Sequence, residues 1–264
     1  MGASAVAYTA EISRTNPSCF LILIDQSGSM EDPFGVSQAK SSKAEGASDA
    51  VNRLLQNLAI KCAKSEGIRD YFYVGIIGYG DKVGSVFRGE LAGSTLLPIS
   101  TVANAPVRVE DRTVKVTDGA GGLVDAPTKF PIWLDPVCHG GTPMCQALKL
   151  AREALAPWVE DHQQSFPPTV INITDGESTD GDPSADAASL RSLATSDGET
   201  LLFNCHLSSS RAQPVVFDDS EDDLADKYAK LLFGMSSVLP EPIRQAAEQE
   251  RFAVTTDSRG FAFN

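Results

Sequence analysis

Short, nearly uninterrupted apolar runs recur along the chain, at residues 19–24, 71–79, 169–174 and 200–207. Runs of this length read as strands buried on both faces, the kind that fill a parallel sheet. Between them the apolar positions change period. Over residues 42–64, Ala47, Ala50, Val51, Leu54, Leu55, Leu58 and Cys62 recur at three and four, which predicts an amphipathic helix stopped near Gly67. A second helix is predicted over 143–156, burying Met144, Ala147, Leu148, Ala151 and Leu155. Further helices are expected over 183–194 with Asp182 as cap, over 222–233 and over 240–249. Residues 83–88 alternate as an antiparallel neighbour strand, while 8–12 and 260–263 read as edge strands. Alternation of strand and helix predicts an α/β fold, doubly wound, with a mostly parallel sheet covered by helices on both faces.

Residues 90–137 break this rhythm. They show no helical period, several prolines and glycines, and short β-prone pieces at 107–109 and 113–116. A long irregular stretch inside a compact domain is often functional, and a β-rich insertion of a hairpin or two is expected here, either bordering the ligand-facing edge or a mobile decoration with no role. Residues 1–264 as a whole read as one domain. Hydrophobic content of 42% is enough for a sizeable core. A net charge of −13 disfavours nucleic-acid partners, which call for a basic face. No apolar run is long enough to predict a membrane helix, and residues 1–17 lack the pattern of a signal peptide. The five cysteines (Cys19, Cys62, Cys138, Cys145 and Cys205) form an odd set without C-x-x-C spacing. They are expected to be free thiols in a reducing, cytoplasmic compartment.

Candidate chemistry begins where the first apolar run ends, at Asp25-Gln26-Ser27-Gly28-Ser29-Met30. Polar residues directly after a core strand lie beyond its carboxyl end, where open α/β sheets bind ligands. Asp25, Ser27 and Ser29 alternate, so three oxygens can converge on a hard divalent cation. The plain alternative is that Asp25 or Ser27 caps a helix. Gly140-Gly141-Thr142-Pro143 is the second such stretch, with Thr142 as an expected N-cap and Pro143 as first helical residue. Its paired glycines let the backbone approach an ion or a partner closely. The third is Thr174-Asp175-Gly176, which places another acid at a strand's carboxyl end. The acidic run over 218–223 reads as the solvated start of a helix.

These three pieces, in this order, resemble the von Willebrand factor A domain family and its metal-ion-dependent adhesion site. The resemblance covers roughly residues 18–235, with 90–137 departing from the common core and a C-terminal helix and edge strand at about 238–264. It implies a Rossmann-like doubly wound sheet and a metal site formed by Asp25, Ser27, Ser29, Thr142 and Asp175. In that family Ser27, Ser29 and Thr142 would offer hydroxyls, while Asp25 and Asp175 often act through water. The implied ion is Mg²⁺, with Mn²⁺ or Ca²⁺ as alternatives, and the implied partner is a protein supplying an Asp or Glu to it. Phrases over 66–72 and 235–240 resemble bacterial intracellular members found beside tellurite-resistance and signalling systems. The expected role is thus a non-enzymatic interaction module of a regulatory or scaffold type. The rivals are a metal-dependent hydrolase or phosphoryl-transfer enzyme, and a purely structural metal. Neither a phosphate loop nor a histidine placed by spacing supports the enzyme.

Overall fold

The computed structural model describes residues 8–34, 41–117, 122–208, 214–222, 224 and 226–263. Residues 1–7 and 35–40, within the stretches 1–17 and 33–40 that read as a lead-in and a loop, fall outside them. Among the described residues the chain forms β1 (Ser18–Asp25), α1 (Lys43–Cys62), β2 (Phe72–Tyr79), β3 (Val83–Ser85), β4 (Leu97–Pro98) and α2 (Ile99–Asn104). Next come β5 (Arg108–Thr117), β6 (Leu123–Ile132), α3 (Met144–Asp161), β7 (Thr169–Thr174) and α4 (Ser184–Arg191). The chain closes with β8 (Leu201–His206), β9 (Val215–Val216), α5 (Lys227–Met235), α6 (Glu241–Gln249) and β10 (Phe261–Phe263).

The main sheet has eight strands in the order β9-β10-β8-β7-β1-β2-β3, with β4 also paired to β2. Its middle, β10-β8-β7-β1-β2, is parallel throughout, and the remaining pairings are antiparallel. The fold is therefore the doubly wound, mostly parallel α/β arrangement expected from the alternation of strands and helices. β1 shows why its apolar run had to be continuous. Cys19, Leu21 and Leu23 enter the core beneath α3, α4 and α5, whereas Ile22 and Ile24 enter the core beneath α1 and α2. Both faces are buried, so no polar alternation survives. From β1 the chain winds first to β2 on one side, then returns to β7 on the other. The winding reverses at the β1/β7 boundary, and a crevice opens there at the carboxyl ends of the strands.

Several local expectations are corrected. Residues 8–12 form no strand, because the Asp197 carboxylate accepts the Thr9 and Ala10 N–H groups that a sheet edge would have used. β10 is not an edge strand: it lies between β8 and β9. α5 starts at Lys227 rather than 222, where the Asp226 carboxylate accepts the Tyr228 and Ala229 N–H groups. Residues 90–137 hold the expected hairpin, β5 with β6, but also the unexpected helix α2. Ile99 and Val102 of α2 are fully buried, and β4 lengthens the sheet edge, so this part belongs to the core. The base of the hairpin is fastened to α1. Asn52 accepts the Trp133 N–H at 2.8 Å and donates to the Leu134 carbonyl at 3.0 Å, and Arg112 pairs with Asp49 while lying over the Phe130 ring.

Candidate functional site

Three loops meet above the β1/β7 crevice. The first leaves β1 at Asp25, which is 1% exposed. One Asp25 carboxylate oxygen accepts the Ser27 N–H at 2.8 Å and the other accepts the Thr174 hydroxyl at 2.7 Å. Ser27 and Ser29 then turn their hydroxyls to within 3.0 Å of each other. The short turn Gly28–Glu31 seats Met30 in the core beneath them, leaving Ser27 buried and Ser29 exposed. The Ser27 side chain makes no capping hydrogen bond to this turn, so capping does not account for its hydroxyl.

The second loop is Gly140-Gly141-Thr142. It is stitched to the first by the Gly28 N–H donating to the Gly140 carbonyl at 3.0 Å and the His139 N–H donating to the Gln26 carbonyl at 2.6 Å. The glycine pair has a protein reason. Gly140 sits at φ +86°, where a Cβ would lie 2.2 Å from the Asp81 carboxylate, and a Cβ on Gly141 would lie 2.8 Å from the Thr179 hydroxyl. Thr142 is buried, and it is not the cap that the spacing suggested. α3 begins at Met144 without a side-chain cap from the residue before it. The Asp180 carboxylate serves instead, accepting the Cys145 and Gln146 N–H groups at 3.0 Å each. That leaves the Thr142 hydroxyl without a capping duty.

The third loop follows β7. Asp175 has a side chain 8% exposed, and its carboxylate meets the Lys43 ammonium at 3.3 Å. Its backbone carbonyl lies 2.8 Å from the His206 Nε2. Gly176, at φ +104°, donates to the Thr174 hydroxyl. Thr179 fastens this loop to the second one, its hydroxyl accepting the Thr142 N–H at 2.8 Å and its own N–H donating to the Thr142 carbonyl at 3.0 Å. Each loop is thus tied to both others, and all five motif residues stand on this closed triangle.

Burial dominates the electrostatics. It pushes the Asp25 carboxyl up to about 6, helped by the nearby Asp175 charge and opposed by the hydrogen bonds from Ser27 and Thr174. Burial likewise lowers His206. Among the described residues, no group of three or more His, Cys, Asp or Glu side chains is placed to hold a metal. The set here has a different composition, two carboxylates with three hydroxyls. Its all-oxygen chemistry fits a hard divalent cation, and the buried Asp25 carboxylate is a charge that such an ion would compensate. The sequence names Thr174 only as the neighbour of Asp175, and it does not point to Lys43, Thr179 or Asp180, which help to hold these loops.

No family model matches the sequence, and no curated protein matches it. Solved structures do match at low identity. A von Willebrand factor type A protein from Catenulispora acidiphila is 15% identical, over 89% of this chain and 42% of that one, with a TM-score of 0.42. Proximal thread matrix protein 1 from the mussel byssus is 15% identical over 84% of this chain and 42% of its own, with a TM-score of 0.47. The vWF domain of the type V pili tip protein Mfa5 from Porphyromonas gingivalis is 14% identical over 62% of this chain and 39% of its own, with a TM-score of 0.35. The chain spans less than half the length of each of these solved chains.

Proposed function

We propose that this chain is a protein-interaction module of the von Willebrand factor A type that binds an acidic residue of a protein partner through a divalent cation, Mg²⁺ in the cell. One observation carries the reading: Asp25, Ser27, Ser29, Thr142 and Asp175 stand on three mutually fastened loops at the point where the sheet reverses its winding. Ser27, Ser29 and Thr142 would hold the ion directly, and Asp25 and Asp175 would hold its water. A bound ion of this kind supplies an electrophile with a coordination position left for an outside carboxylate. Neutral hydroxyls leave most of its charge uncancelled, which is what an incoming Asp or Glu needs.

The chain's own groups support binding over catalysis. The Ser27 and Ser29 hydroxyls bond one another. His206 reaches the site only through a backbone carbonyl, and a serine nucleophile needs a base at its hydroxyl. The five free cysteines support a reducing, cytoplasmic setting, and none of the described helices is long and apolar enough to cross a membrane. A regulatory or scaffold role in a bacterial stress or signalling system is the narrower form of this proposal.

The test is a pull-down from native extract, with Mg²⁺ or with chelator, using wild type and Thr142→Ala. The proposal expects a partner retained only by wild type and only with Mg²⁺. Equal retention by both proteins, or retention unchanged by chelator, contradicts it.

A further inference from the structure

Lys43 is misplaced by the ordinary rules. It is the first residue of α1, next to the Ser42 cap, where the helix dipole repels a cation. It is also only 4% exposed, and lysine is almost never buried without a partner. The capping box of Ser42 with Glu45, together with the Lys43 N–H bond to the Asp32 carbonyl at 2.9 Å, fixes the backbone from which the side chain departs. The ammonium lies 3.3 Å from the Asp175 carboxylate and 3.5 Å from that of Asp32. Asp32 is a surface residue with a side chain 59% exposed, so its pairing is weak and does not account for the burial. Asp175 is the buried partner, and it is one of the five motif residues.

From this placement we infer that Lys43 is a tethered cation that sets the metal affinity of the site by competing for Asp175. The inference rests on the metal reading of the site given above. A monovalent charge fixed beside Asp175 neutralises part of the carboxylate that would otherwise attract the ion, and it repels the ion directly. The same ammonium compensates the buried Asp175 carboxylate when no metal is bound, so the loops keep their arrangement. Lys43 thereby makes metal binding an exchange between a weak built-in charge and a strong external one. The result is a site tuned to a freely exchanging ion rather than a permanently held one.

Mg²⁺ titration calorimetry on purified wild type, Lys43→Met, Lys43→Gln and Lys43→Arg, with melting curves in chelator and in Mg²⁺, tests this. Met keeps the apolar stem, Gln keeps a hydrogen-bond donor without charge, and Arg keeps the charge. Lys43→Met and Lys43→Gln should bind Mg²⁺ about tenfold more tightly or better, since a nearby full charge is worth at least that much in a partly buried site. They should melt lower than wild type in chelator and gain more from the ion. Lys43→Arg should keep the wild-type affinity. Because Gln preserves a donor to Asp175, the affinity comparison survives if the Met variant folds poorly. Neutral variants that bind Mg²⁺ no more tightly than a metal-binding wild type overturn the role of Lys43 and leave the metal site standing. Absence of binding by wild type and neutral variants alike overturns the metal reading, and this inference falls with it.

Discussion

Asp25 carries the conflict between stability and function at the smallest scale. Its carboxyl is held near 6 against an ordinary value of 3.8, chiefly by burial. The folded state therefore holds the proton more tightly than the unfolded chain does. The stabilisation this provides is complete below pH 3.8 and is lost as the pH rises through about 6. A shift of this size corresponds to roughly 3 kcal/mol at neutral pH. Asp25→Asn, neutral at every pH, should melt several degrees above wild type at pH 7 in chelator and show no such advantage at pH 4. Added Mg²⁺ should raise the wild-type melting point at pH 7 and leave that of the variant unchanged. Melting curves at the two pH values, with and without the ion, check both halves. A variant no more stable than wild type in chelator would mean that the carboxylate is adequately solvated without metal.

Among the elements, the sheet is held by polar contacts as well as apolar ones. Tyr79 of β2 donates to Asn172 of β7 at 2.6 Å, and Asn172 donates to Asn204 of β8 at 2.9 Å. Asn204 in turn donates to Ser236 and to the Leu232 carbonyl at the end of α5. Every member is buried, so removing one hydrogen bond strands its partner. Tyr79→Phe should cost about 1–2 kcal/mol in urea unfolding with an unchanged slope. A neutral substitution would show that the network is relaxed by water. None of this network was legible beforehand, since its residues lie 93 and 32 positions apart. The strands themselves were legible because burial on both faces leaves a continuous apolar run. Helix α2 was not, because six residues are too few to display a helical period. The start of α5 was misplaced because the acids over 218–223 resemble a first turn, whereas the group that accepts the first N–H bonds is Asp226.

At the scale of the whole molecule, the order of the strands decides where chemistry can happen. The chain reverses its winding between β1 and β7, and the loops that carry the motif residues meet at that crevice. Asp25, Ser27 and Ser29 could be read from sequence because they directly follow a recognisable strand. Thr142 and Asp175 could be read once their neighbours gave the same kind of context. The groups that hold them in place could not, for Lys43 stands 132 residues from Asp175 and Thr179 stands 37 from Thr142. Such pairs exist only after the sheet has brought its loops together. The most direct test of the account is a Mg²⁺ titration of wild type and Ser29→Ala, since Ser29 is exposed and its loss leaves the core untouched. The account predicts one ion bound per wild-type chain and an affinity at least about tenfold weaker in Ser29→Ala, the loss expected for one ligand of a small oxygen shell. Equal affinity in the two proteins, or no ion bound by wild type, would contradict it.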